Sequence, residues 1–123
     1  MAQHNNIGQK GEEFVVQYLI KQEYKILNIN WRFKHKEIDI ISEKDDKIIF
    51  IEVKTRTTTI FEKPQYSVNN TKMVNLIKAA DYYLQSNNYL NKDSRYDIIT
   101  VLAGQTYKIL EHIKDAFKPN DLI

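Results

Sequence analysis

Two apolar runs, Ile38–Ser42 and Ile48–Val53, flank the polar tetrad Lys44-Asp45-Asp46-Lys47, and this stretch constrains the fold more than any other. Runs of β-branched and aromatic residues on either side of a short polar break read as a β-hairpin. Charges interrupt it where buried strands should be apolar: Asp39 in the first run, Glu52 and Lys54 closing the second. Centring the turn on Asp45-Asp46 sets Asp39 opposite Glu52 and Glu37 opposite Lys54. Opposed residues share a face with Cβ atoms about 5 Å apart, and strand side chains repeat every two residues. One face therefore carries Asp39, Glu52 and Lys54, while Ile49, Ile51 and Val53 occupy the other.

Two facing carboxylates repel and destabilise a hairpin. Such a pair needs a proton, an organic cation or a metal between its members. One ammonium, Lys54, cannot balance Asp39, Glu52 and Glu37 together. A hard divalent cation with oxygen ligands, Mg²⁺ or Mn²⁺, is the expected completion.

The rest of the chain sets the frame. At 123 residues and 42% hydrophobic content it suits a single α/β domain. The absence of cysteine removes disulfides, thiolate zinc sites and cysteine nucleophiles, and fits a reducing compartment. Residues Met1–Asn6 lack an apolar signal core and read as a frayed start, and no apolar run reaches membrane length. The expectation is a soluble cytoplasmic protein with no membrane contact. A net charge of +2 does not by itself argue for nucleic acid. Its distribution says more: Lys21, Lys25, Arg32, Lys34 and Lys36 precede the hairpin, and Lys54, Arg56 and Lys63 end or follow it. Basic flanks around an acidic centre suit a polyanion bound over a metal, and a solvated charged surface gives the same counts.

From Ile7 or Gly8 to about Gln22, Phe14, Val15, Tyr18 and Leu19 recur at helical spacing. Glu12 borders that stripe one or two turns earlier, aimed toward an adjoining sheet, whereas Glu13 points away; a helix-start acid favoured by the macrodipole is the plainer alternative. Tyr24–Phe33 reads as a strand whose Trp31 either joins the core or stacks on a nucleobase. After the hairpin, Thr55–Asn70, with Pro64, reads as a long loop starting at the charged strand end. A helix over Thr71–Ser86 follows, with the stripe Met73, Leu76, Ile77, Ala80, Tyr83 and Leu84 and capping candidates Asn69 and Asn70. Arg95–Leu102 is nearly continuous in apolar character, hence an interior strand, and Thr106–Ile113 is an edge strand. The predicted architecture is a mixed sheet flanked by helices, in the order α-β-β-β-α-β plus a C-terminal edge element.

Three acids and an ammonium (Asp39, Glu52, Glu12 and Lys54) fit metal-assisted hydrolysis of a phosphodiester, with Lys54 orienting or deprotonating water or stabilising the phosphorane charge. Lys72, opening the second helix, could reach a phosphate. A glycosidase pair would need more room than adjacent strand positions leave. No serine stands in a nucleophile-elbow context, no Gly-rich phosphate loop exists, and His4, His35 and His112 lack metal-ligand spacing. His35 borders the hairpin, as a solvent-exposed residue or a substrate contact.

Asp39…Glu52-Val-Lys54 resembles the PD-(D/E)xK nuclease signature, with Ile38 where that pattern often has proline. More closely, Gly8-x-x-Gly-Glu12, Tyr18-Leu19, Asn30, Glu37-Ile-Asp-Ile-Ile41, Phe50-x-Glu-Val-Lys-Thr-Arg56, Lys72 and Arg95-Tyr-Asp97 are similar to the YraN family. The resemblance, running from Gly8 to about Val101, implies a restriction-endonuclease-like core similar to archaeal Holliday-junction resolvases. It implies metal and catalytic positions at Glu12, Asp39, Glu52 and Lys54. Lys36 departs from the family's usual glycine and puts a bulky cation beside the site, which either aids phosphate binding, with Arg56 and Lys72, or crowds it. Resolvases with this core act as dimers, which makes a homodimer an expectation here. Three readings stay open: a divalent-metal-dependent nuclease acting on DNA, branched or structured DNA included; a nucleic-acid- or protein-binding module on the same fold; and a structural salt-bridge ladder.

Overall fold

The computed structural model describes residues 6–57 and 70–119. In chain order these form α1 (Asn6–Lys21), β1 (Lys25–Phe33), β2 (Lys36–Lys44), β3 (Lys47–Arg56), α2 (Asn70–Ser86), β4 (Asp93–Ala103) and β5 (Tyr107–Ile113). The five strands make one sheet in sequence order. The first three form an antiparallel meander, β4 lies parallel to β3 and β5 returns antiparallel. The expected mixed sheet with helices is therefore the observed one. Residues 58–69, which hold Lys63, Pro64, Asn69 and most of the expected long loop, lie outside the described residues, as does most of the expected frayed start.

The hairpin forms where its turn chemistry dictates. Asp45 and Asp46 both have left-handed φ, 52° and 64°. That is the pairing a two-residue type I′ turn requires, and Asp tolerates it better than most residues. The turn fixes the register, from Lys44↔Lys47 to Ile40↔Ile51. Asp39 and Glu52 are next in line, and there Asp39 Oδ2 accepts a hydrogen bond from the Val53 amide at 2.9 Å.

Alternation along β3 divides the core. Ile49 and Ile51 pack with Val15 and Leu19 of α1, and Val53 borders that cluster. Ile48 and Phe50 pack with Leu76, Ala80 and Tyr83 of α2. The helices thus cover opposite faces, and each fully buried Ile adds on the order of 2 kcal/mol. Glu52 follows Phe50 on the α2 side. Strand β2 breaks this rhythm: Ile38 and Ile41 join the α2 cluster while Ile40 joins the other. Beside the break, Asn30 adopts φ 53°, and β1–β2 pairing skips from Ile29↔Ile40 to Trp31↔Ile38.

On α2, Leu76, Ala80, Tyr83 and Leu84 are buried as the stripe predicts, together with Ala79. Strand β4 is interior, with Tyr96 to Val101 buried. Phe117, beyond β5, returns to the α2-side cluster. No helix among the described residues is long and apolar enough to cross a membrane.

Candidate functional site

At the C-terminal end of β3, on the α2 side, Asp39 and Glu52 line a cleft of about 210 Å³ with His35, Glu37, Lys72, Asn75 and Leu76. The turn sets the two strands in register, and alternation brings Glu52 round to face α2. Glu52 is 3% exposed, and Lys72 Nζ from the first turn of α2 stands 2.5 Å from its Oε2. Burial first, then the neighbouring charge of Glu52, pushes the Asp39 carboxyl up to about 8, against the opposing pull of the Val53 amide. Burial, with Lys72 nearby, holds the Lys54 ammonium below its ordinary range. Burial also works against the Lys72 charge, but the bond to Glu52, the charges of Glu52 and Asp39 and the bond to Lys54 together outweigh it and raise that ammonium.

Glu12 reaches this region because α1 lies close to the end of β3. A Cβ on Gly11 would collide with the Thr55 side chain, so only glycine permits the approach. Glu12 lines a second depression with Gly8, Gln9, Asn30 and Glu37, and Glu37 borders both it and the cleft. Burial raises the Glu12 carboxyl, the Asn30 side chain opposes this by hydrogen bonding, and the charges of Glu37 and Glu52 add to the rise.

Among the expected site residues, Asp39, Glu52 and Lys72 therefore share one cleft, and Lys54 senses all three. Glu12 stands in the adjoining depression. Arg56 lies two residues beyond Lys54 and helps depress its ammonium. Lys36 begins β2 opposite Phe33 and lines neither hollow. No group of three His, Cys, Asp or Glu side chains among the described residues is disposed to hold a metal ion. Asp39 and Glu52 are the convergent oxygen donors, and that pair fits magnesium, which commonly takes one or two carboxylates and fills its shell with water and phosphate oxygens. Asn75 and the Asn30–Glu12 contact carry no sequence signal of their own; Asn30 entered only as part of a family motif.

A second buried polar cluster lies on the α1 side. Asp97 accepts hydrogen bonds from Arg95 Nε at 2.9 Å and the Asp115 amide at 3.0 Å, and its Oδ2 stands 2.8 Å from His112 Nε2. Tyr18 Oη meets His112 Nδ1 at 2.9 Å, and Arg95 Nη2 donates to Tyr24 Oη at 3.0 Å. Burial alone would raise the Asp97 carboxyl, but the bonds from His112, Arg95 and Asp115 outweigh it and hold the group below its ordinary range. His112, without metal-ligand spacing in the sequence, finds its partners here. The cue was a charged Arg95-x-Asp97 pair inside an otherwise apolar interior strand, since buried charge demands partners.

The model of the uncharacterised protein family UPF0102, the YraN family, matches residues 11–101. A UPF0102 protein of Christiangramia forsetii is 41% identical over 117 residues, covering 95% of this chain and 98% of its own. A UPF0102 protein of Flavobacterium psychrophilum is 42% identical with the same coverage. One from Bacteroides thetaiotaomicron is 39% identical, covering 97% of this chain and 98% of its own.

Proposed function

This chain belongs to the UPF0102 family, and from that premise we propose that it is a divalent-metal-dependent nuclease hydrolysing phosphodiester bonds of DNA, branched or structured DNA included. One observation carries the reading: two carboxylates, Asp39 and Glu52, are driven together out of water in a single cleft, with Lys72 and Lys54 beside them. Repulsion of this kind is costly to maintain and is characteristic of sites built for a cation or a proton.

Asp39 and Glu52 would hold Mg²⁺ or Mn²⁺, and Glu12 stands near enough to add its charge. The bound ion would supply Lewis-acid polarisation of a phosphoryl oxygen. Lys54, whose ammonium gives up its proton more readily than an exposed lysine, is suited to orient the attacking water and accept its proton. Water oxygen bonds to phosphorus as its proton passes to Lys54, the bridging P–O bond breaks, and the departing oxygen takes a proton from solvent and leaves as an alcohol. Lys72, at the mouth of the cleft, would contact a nonbridging phosphate oxygen, while Arg56 and Lys36 would neutralise flanking phosphates.

A second reading, binding without turnover, draws on the Lys72–Glu52 ion pair, which already balances one carboxylate. Cleavage separates the two. Purified protein incubated with linear, flapped and four-way DNA should cut in Mg²⁺ or Mn²⁺ and not in EDTA, and Asp39→Asn or Lys54→Ala should abolish cutting. Binding to these substrates with no metal-stimulated products would replace the nuclease by the module.

A further inference from the structure

Outside the cleft, three aromatic rings form a row where α2 meets the edge strand β1. Phe33 and Tyr82 stack with centroids 4.2 Å apart and planes 21° apart. Trp31 lies 6.2 Å from Tyr82 at 29°, and is anchored edge-on to buried Tyr83 at 5.2 Å. Lys34 Nζ stands 5.4 Å from the Phe33 ring centre. Trp31 and Phe33 pack against the α2-side core, and Tyr82, lying over them, is 47% exposed. The informative observation is an exposed aromatic with other rings aligned behind it.

The row lies beside the cleft. Phe33 precedes cleft-lining His35 by two residues, and Tyr82 follows cleft-lining Asn75 along α2 by about 10 Å of helix rise. Cations accompany the row on both elements. Lys34 flanks it on the strand side, whereas Arg32, paired with Glu37 at 3.6 Å, projects to the other face of β1. Lys78 stands one helical turn before Tyr82, in a depression it shares with Asn75. Aromatic faces interleaved with cations suit unpaired bases joined by phosphates. A blunt duplex keeps its bases stacked inside and offers no ring to such a surface.

We propose that Trp31, Phe33 and Tyr82 form a stacking platform for an unpaired nucleobase, so that the preferred substrate carries a single-stranded segment leading into the Asp39–Glu52 cleft. This rests on the nucleic-acid part of the proposed function and not on its catalytic part.

Trp31 is the chain's one tryptophan and reports on the platform directly. In EDTA, titration with an oligothymidylate should quench Trp31 emission to saturation, whereas a blunt duplex of equal length should not. Tyr82→Ala should weaken single-strand affinity about tenfold, the size of one lost base stack, and Tyr82→Phe should restore it. If the alanine variant unfolds, Tyr82→Leu keeps the apolar contact while removing the ring, with the same expected loss. Unchanged affinity in a folded Tyr82 variant overturns the platform. So does a Tyr82→Ala variant that turns a dimer into a monomer in sedimentation without loss of binding, which would assign the rings to a second copy of the chain. Quenching retained alongside absent metal-dependent cleavage refutes the nuclease reading alone. Metal-dependent cleavage with no preference for overhangs, unaltered by Tyr82→Ala, refutes the platform alone.

Discussion

Replacing Asp39 by Asn should stabilise the metal-free protein, and increasingly so as pH rises. The carboxyl's ordinary value of 3.8 is pushed up to about 8 in the folded chain, by burial and by Glu52. A folded-state pKa above the unfolded one means that folding takes up a proton. Stability is unopposed below about pH 4 and is lost progressively as pH climbs toward 8. Each pH unit in that window corresponds to about 1.4 kcal/mol. Between pH 6 and pH 8 the wild type should lose about 2 kcal/mol relative to Asp39→Asn, with allowance for the approach to half-ionisation. For a domain of this size that is a melting-temperature difference of roughly 8 °C. Asn keeps an oxygen for the Val53 amide, so the variant isolates the charge from the hydrogen bond. Thermal melts of both proteins in EDTA at the two pH values measure the difference. Under the proposed function, Mg²⁺ should raise the wild-type midpoint more at pH 8 than at pH 6 and have little effect on Asp39→Asn. A variant several degrees less stable than wild type at both pH values would refute the reasoning and make Asp39 part of a stabilising ladder.

Gly11→Ala should cost about 1 to 3 kcal/mol in urea denaturation, because its methyl meets the Thr55 side chain. Thr55→Ala in the same chain should recover most of the loss, and an unperturbed Gly11→Ala would refute the close approach. Asp97→Asn should cost about 3 kcal/mol at neutral pH, as the half-buried Arg95 and His112 lose the buried anion they bond. Because the Asp97 carboxyl is held below its ordinary range, its contribution is present above that range and is lost as pH falls through the depressed value. The variant's acid unfolding should therefore be flatter than the wild type's, as chemical denaturation at several acidic pH values would reveal.

What could be read from the chain followed from short-range chemistry. Two aspartates between apolar runs specify a turn, the turn specifies register, and register with period two carries Glu52 to the face of Asp39. Glu12 was legible as the border of a helical stripe. Less legible was everything that depends on deviation from ideal geometry. Asn30 adopts a left-handed φ inside a strand, and β1 shifts register between Ile26 and Asn28; no periodicity announces either. The Asp97–His112 contact joins residues on two strands through a shifted β4–β5 register, and such a shift depends on tertiary packing. The division of the carboxylates between a cleft and a neighbouring depression likewise reflects where Lys72 and Asn30 sit, which spacing along the chain does not fix.

Beyond the core packing of Val15 and Leu19, two contacts fasten helix α1. At one end Gly11 rides against Thr55, and two turns later Tyr18 is tied through His112 to Asp97. Between those fastenings it behaves as a short rigid beam carrying Glu12 beside its first support. The Asp97 cluster, remote from the acids, is therefore one of the supports of the helix that carries Glu12. Substitutions at Tyr18 or His112 would loosen that support from a distance while leaving every carboxylate in the chain.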